Sequence, residues 1–284
     1  MIQRGRLVIQ IMLTKSISLT PITKTSINME GGFGISDNER YKNHEFNNMS
    51  NNNFLPPLHP QFRYRIEIVG NEKVPVLVID NFLHEAEALL GYAVKFGEFS
   101  DGTDYYPGIQ SHVPEFYSQA LQTYLPDIIC EAFSLTRENI NYSQSTYSLI
   151  LTPPARLALP QSRPHVDTIH KEKLACVHYL CTPEKGGTSL YRHRATGFEL
   201  LSPERMDIYG EHLAKEAQDT SWHKKYINGS NQYYEEIARY ESNFNRLIMY
   251  PSDVLHSASI PENFQFRPNP IIGRLTLNSF IYLK

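Results

Sequence analysis

From Tyr142 onward the chain is written as short apolar or alternating runs, each bounded by turn signals. Tyr147 to Leu151, Leu174 to Cys181, Thr188 to Arg192, Gly197 to Leu201, Asn245 to Tyr250 and Gly273 to Leu283 are such runs. Pro153-Pro154 and Gly186-Gly187 punctuate them. Strands at this spacing imply an all-β sandwich or barrel. An insertion over residues 202–243 interrupts them. In it Ser202 can cap a helix opened by Pro203, and Gln232 to Tyr240 reads as a second helical patch.

The preceding stretch has a different texture. Arg63 to Ile68 alternates and Val74 to Ile79 is β-branched and apolar, which predicts two strands. Ala86, Leu89, Leu90, Ala93 and Val94 then recur at helical spacing, predicting a helix from His84 to Phe96. Tyr106-Pro107-Gly108 marks a turn. Phe116, Ala120, Leu121 and Tyr124 propose a second helix, and Pro126 to Phe133 a third with proline at its start. Residues 30–57 are polar, asparagine-rich and glycine-containing, so residues 1–60 read as a disordered leader. Residues 61–284 then form a single domain, helices and two strands over 61–141 and a β core over 142–284.

Composition narrows the function classes. With 41% hydrophobic and 20% charged residues the chain can bury a real core, and a net charge of -3 offers no basic footprint for nucleic acid. No apolar run approaches a membrane span, so no membrane partner is expected. Arg4 and Arg6 before the stretch Leu7 to Leu13 superficially resemble a signal peptide, but Gln10 interrupts it. A start assigned too far upstream explains it equally well, with Met12 and Met29 available. Cys130, Cys176 and Cys181 form no CxxC, and a reducing cytoplasm is the simplest reading. Oligomeric state is not legible.

The most informative tripeptide is His165-Val166-Asp167. On an extended strand, side chains two apart share a face, so an imidazole and a carboxylate converge. Near the C-terminal end, Tyr250-Pro251-Ser252-Asp253-Val254-Leu255-His256 closes a strand, turns and presents a second histidine. Eighteen residues later Gly273-Arg274-Leu275-Thr276 opens the last strand, with Arg274 and Thr276 again on one face. Two histidines and one carboxylate leave three open positions on a metal, the facial triad of non-haem iron(II) oxygenases. A guanidinium can grip the far carboxylate of a bidentate 2-oxo acid, and the Thr276 hydroxyl can complete that grip.

In these motifs, taken in order, the chain resembles the iron(II)/2-oxoglutarate-dependent oxygenases. The resemblance is to their prolyl-hydroxylase-like branch, and more narrowly to a bacterial group from which no substrate carries over. Asp80-Asn81-Phe82-Leu83, Tyr106-Pro107-Gly108 and Gly186-Gly187-Thr188 extend it across residues 74–284. The resemblance implies a mainly β fold with flanking α, a double-stranded β-helix of jelly-roll, cupin-like type preceded by helices. It implies that His165, Asp167 and His256 hold iron(II) and are the catalytic set, with dioxygen as co-reactant. It implies that Arg274 and Thr276 bind 2-oxoglutarate, and that Tyr147 offers it a hydroxyl. The implied activity is a dioxygenase hydroxylating a small molecule, amino acid or peptide, with release of succinate and CO2. About ninety residues separate Asp167 from His256, more than in compact members, because of the insertion.

Blander readings stand beside these. A non-catalytic binding protein could keep the fold and the metal, and a cupin-like metalloenzyme could dispense with 2-oxoglutarate. His178 reads as a core residue and His193 as solvated or near the pocket mouth. Arg163 reads as a solvated loop arginine, with a substrate anion as its alternative partner. Trp222, the single tryptophan, anchors the insertion.

Overall fold

The computed structural model describes residues 55–102, 106–142, 145–222 and 224–284. The leader assigned to residues 1–60 therefore lies outside the described residues up to position 54. Its end is held: Leu58 pairs with Leu83, and the Pro57 carbonyl accepts the His84 amide at 2.9 Å.

In chain order the elements are β1 (Arg63–Val69), β2 (Val74–Asp80), α1 (Glu87–Phe96), β3 (Ser100–Asp101) and β4 (Gly108–His112). Then come α2 (Glu115–Tyr124), α3 (Pro126–Phe133), β5 (Ile140–Tyr142), β6 (Thr146–Ile150), β7 (Lys173–Tyr179) and β8 (Thr188–His193). Last are α4 (Met206–Glu216), β9 (Tyr234–Tyr240), β10 (Leu247–Pro251), β11 (His256–Ala258) and β12 (Leu275–Leu283). The strands form two antiparallel sheets. The larger runs β1-β2-β10-β7-β12-β6-β4-β3, with β5 also on β12, and the smaller runs β11-β8-β9. No helix among the described residues is long and apolar enough to cross a membrane.

Strand periodicity decides which face each side chain takes. Leu77, Ile79, Leu149, Cys176, Met249, Leu275 and Leu277 project to one face of the larger sheet. There they meet Leu89 and Leu90 of α1, Tyr117 and Leu121 of α2 and Ile129 of α3. Their neighbours Val76, Val78, Ala175, Tyr179, Ile248 and Tyr250 project to the other face and pack with Leu190 and Tyr240 of the smaller sheet. Burying each large apolar side chain contributes about 1.5–3 kcal/mol, and here both faces are covered. Polar side chains that alternate with the first set, such as Ser148 and Thr276, are thereby confined to the space between the sheets.

Three expectations are corrected. Gln232 to Tyr240 is not helical: Tyr234–Tyr240 is a strand on β8, and Tyr234 and Tyr240, six apart, are both buried. Tyr234, Ile237 and Ala238 carry a helix-like spacing, and pairing with β8 overrides it. Gly197 to Leu201 is no strand and contributes only a bridge from Leu200 to Val254. Ser202 does not cap a helix by its side chain; its hydroxyl bonds Glu204, and a short 3-10 turn leads into α4. At the Gly186-Gly187 turn, a Cβ on Gly187 would lie 1.8 Å from the Tyr240 carbonyl oxygen, so only glycine lets the sheet ends approach.

Asn245 ties the helix-side core together. It sits at φ 63°, a left-handed conformation that asparagine tolerates. Its buried side chain accepts from the Leu83 amide and the His178 ring, both at 3.1 Å, and donates to the Leu83 carbonyl at 2.8 Å. Asn245→Ala orphans those groups, and each orphan costs about 1–3 kcal/mol. Urea unfolding of the variant should show a loss of about 2–4 kcal/mol; a loss within experimental error would show that these bonds are replaceable.

Candidate metal centre

The residues of the central motif do not belong to a long strand. Instead, His165 and His256 exchange both backbone N–H···O bonds at 2.9 Å, and the Asp167 amide donates to Ser252 at 2.9 Å. Segment 165–167 thus lies along the free edge of β11. That register brings the two imidazole rings to 4.5 Å between centroids. Alternation keeps Asp167 on the side of His165, and its Oδ2 lies 3.6 Å from His256 Nε2. One donor atom from each of the three residues falls within 4.8 Å of the others, the one such group of histidine, cysteine and carboxylate side chains among the described residues.

The donor chemistry fits a divalent cation. His256 Nδ1 donates to the Val254 carbonyl at 2.9 Å, which leaves the Nε2 lone pair facing Asp167. His165 is open to solvent but surrounded by protein mass. Desolvation, then His256, push its pKa down to about 4, with Asp167 opposing. The ring is therefore neutral at physiological pH, the form that binds metal. Two imidazoles and one carboxylate make a donor set suited to iron(II).

Behind the group stands Tyr250, its ring 5.0 Å from His256. Burial raises its hydroxyl pKa most; Asp167 raises it further while Arg274 lowers it, so Tyr250 feels both ends of the site. Arg274 is 3% exposed and lies on the inter-sheet side of the larger sheet. Its Nε and Nη2 donate to the Gly186 and Gly187 carbonyls at 2.9 Å, and its remaining N–H groups have no other partner among the described residues. Thr276, also buried, donates to Asn278 Oδ1 at 3.0 Å.

Tyr147 is not brought to this group. In register with Leu277, it points to the helix-covered face, where its hydroxyl donates to the Leu89 carbonyl at 2.7 Å. The hydroxyl beside Arg274 belongs to Tyr106. It is buried with no hydrogen-bond partner, and burial pushes its pKa up while Arg274, Ser148 and Thr276 counteract. The Tyr106-Pro107-Gly108 turn was the available signal. Gly108 admits β4 against β6, since a Cβ there would meet the Leu149 carbonyl at 2.0 Å, and the turn delivers Tyr106 between the sheets.

The remaining candidates separate cleanly. His178 is a core residue stacked on Tyr117, with burial lowering its pKa to about 4. His193 is neither solvated nor at a pocket mouth. It is fully buried, bonding Glu216 at 2.8 Å and Thr196 at 2.9 Å beneath Tyr209. Arg163 is 4% exposed rather than solvated, because the insertion folds over it. Trp222 is buried within that insertion and lies 5.1 Å from the Arg163 guanidinium.

A family model described as "Family of unknown function (DUF6445)" matches residues 60–281. The chain belongs to DUF6445. The match takes in both sheets and every residue of the candidate centre of this DUF6445 chain. No curated protein matches it. Among solved structures it is similar to the non-heme alpha ketoglutarate dependent epimerase SnoN from nogalamycin biosynthesis, at 13% identity and TM-score 0.42, covering 72% of this chain and 76% of that one. It is also similar to HygX from Streptomyces hygroscopicus with nickel, 2-oxoglutarate and hygromycin B bound, at 10% identity and TM-score 0.41, covering 73% and 82%. A further likeness is to AviO1 from Streptomyces viridochromogenes Tue57, at 11% identity and TM-score 0.38, covering 79% and 90%.

Proposed function

We propose that this chain is an iron(II)- and 2-oxoglutarate-dependent dioxygenase on a double-stranded β-helix of jelly-roll, cupin-like type. It hydroxylates a small molecule, amino acid or peptide and releases succinate and CO2. One observation carries the reading: His165, Asp167 and His256 converge within 4.8 Å, and the inter-sheet space they border also holds buried Arg274 and Thr276. The order of these motifs supports the prolyl-hydroxylase-like branch. The free thiols of Cys130, Cys176 and Cys181 fit a reducing cytoplasm.

In this reading His165, Asp167 and His256 hold the iron, and the Val254 carbonyl fixes the His256 tautomer. Bound iron supplies the redox chemistry that couples decarboxylation of the 2-oxo acid to oxidation of a C–H bond by dioxygen. Arg274, already clamped on two carbonyls, orients its free N–H groups toward the far carboxylate of 2-oxoglutarate. The unpartnered Tyr106 hydroxyl supplies a further donor, and Thr276 supplies another by turning its hydroxyl from Asn278. The aromatic cluster of Tyr106, Tyr226, Phe264 and Phe266 packs on Ile150 beside them and excludes water from that end.

Purified protein given iron(II), ascorbate and 2-oxoglutarate under air is expected to form succinate slowly even without substrate, and a chelator should stop it. If succinate is absent and anaerobic titration also shows no binding of iron or 2-oxoglutarate, the proposal fails.

A further inference from the structure

Arg163 is the one described arginine that is buried and has no hydrogen-bond partner. Nε, Nη1 and Nη2 are all without one, and no carboxylate lies within ion-pair distance. The other sequestered arginines behave differently. Arg192 bonds Glu199 and Glu235, Arg246 bonds Asp80, and Arg274 bonds two backbone carbonyls. A buried guanidinium without a counter-charge carries the uncompensated desolvation penalty of one ion. Its cation–π contact with Trp222, at 5.1 Å from the ring centroid, satisfies none of the N–H donors, which lie in the guanidinium plane. A planar oxyanion in that plane would satisfy them.

The position of Arg163 links this demand to the candidate centre. Its backbone is extended, at φ -131° and ψ 160°, and two residues of extended chain span at most about 7 Å, so His165 is within a small molecule's length. The insertion forms the opposite wall. Tyr209, Leu213, Ile227 and Tyr234 pack with Val166 and Ile169 of the metal segment, and Trp222 covers the Arg163 guanidinium. The insertion therefore closes over a guanidinium that has no hydrogen-bond partner among the described residues; the buried Glu216, whose charge also reaches Tyr209 and Tyr234, is bonded to His193 instead.

We propose that Arg163 docks a carboxylate of the substrate, so that the chain acts on an organic acid held between the metal segment and the insertion. The substrate assignment rests on the oxygenase reading; the anion site does not.

Trp222 is the single tryptophan and reports on this site alone. The full chain, free of metal, is titrated with N-acetylglycine and with its neutral amide at matched ionic strength, following Trp222 emission. The carboxylate is expected to give a saturable change and the amide none. Arg163→Met should weaken the response at least about tenfold, Arg163→Lys should restore part of it, and Arg274→Met should leave it in place. If Arg163→Met melts early, Arg163→Lys reads the same contrast in a folded chain, because lysine keeps the charge and loses the fork. Identical responses to acid and amide overturn the proposal. So does an unchanged titration in both Arg163 variants, or a loss produced by Arg274→Met instead. An Arg163-dependent response in a protein that binds neither iron nor 2-oxoglutarate would leave the anion site standing and remove the oxygenase reading. The reverse pattern removes the anion site alone.

Discussion

Asp167→Ala is expected to lower the affinity for iron(II) by more than about 100-fold, the upper range for losing even an outer partner of a metal ligand. The argument starts from charge. Asp167 is the one anionic member of the three-residue group, and His165 is held neutral by its surroundings. Without Asp167 a dication would meet only the two imidazole rings and no carboxylate. The substitution leaves the scaffold alone: the Asp167 amide still donates to Ser252, and the side chain is 20% exposed. Stability should move by no more than about 0.5 kcal/mol, as for surface changes that break no buried contact. Anaerobic calorimetric titration with iron(II), beside a thermal melt, reads both. A variant that still binds iron with wild-type affinity and still forms succinate would sink the three-residue assignment.

Arg274→Met is the second large effect, and it acts on two quantities at once. The guanidinium braces the Gly186 and Gly187 carbonyls at 2.9 Å and offers its remaining donors to the inter-sheet space. Hydrogen bonds to charged groups contribute about 1.5–3 kcal/mol each, so loss of the proposed two-pronged grip is expected to weaken 2-oxoglutarate binding on the order of 100-fold or more. The orphaned carbonyls lower stability by about 2–3 kcal/mol. Arg274→Lys separates the terms: the ammonium can recover part of the stability, but it cannot reproduce a planar fork. Equilibrium dialysis of labelled 2-oxoglutarate and a urea melt give the two numbers. A fall in stability with unchanged 2-oxoglutarate affinity would make Arg274 a brace for the Gly186-Gly187 turn and nothing more.

What could be read in advance followed from short-range geometry. The spacing of His165 and Asp167, and of Arg274 and Thr276, needs only the two-residue repeat of extended chain, and each pair does share a side. Helices α2 and α3 were legible because Phe116, Ala120 and Leu121 repeat at helical spacing and Pro126 opens the next helix. Apart from Ser202, whose hydroxyl turns to nearby Glu204, the misreadings depend on partners far away in sequence. Tyr147 lies in Thr146–Ile150, a strand whose composition does not say which face is inward; register with β12 decides it. Tyr234–Tyr240 carries a spacing compatible with a helix until β8 pairs with it. His193 lies between two arginines and Arg163 between Ser162 and Pro164, and only the insertion closing over them makes them buried.

The order of the larger sheet also constrains how the chain reaches this state. Only β1-β2 and β3-β4 are joined by short connections, whereas β2 pairs with β10 across Ile79 and Leu247, and β6 pairs with β12 across Ser148 and Thr276. Contact order is accordingly high, and the entropy of closing long loops is lost before those pairings return any energy. Refolding from denaturant should belong to the slow, millisecond-to-second regime of sheet-rich topologies. Helical signal from α1 to α3 would precede it, and the affinity for metal would return only in the last kinetic phase, when β11 and the segment at His165 meet.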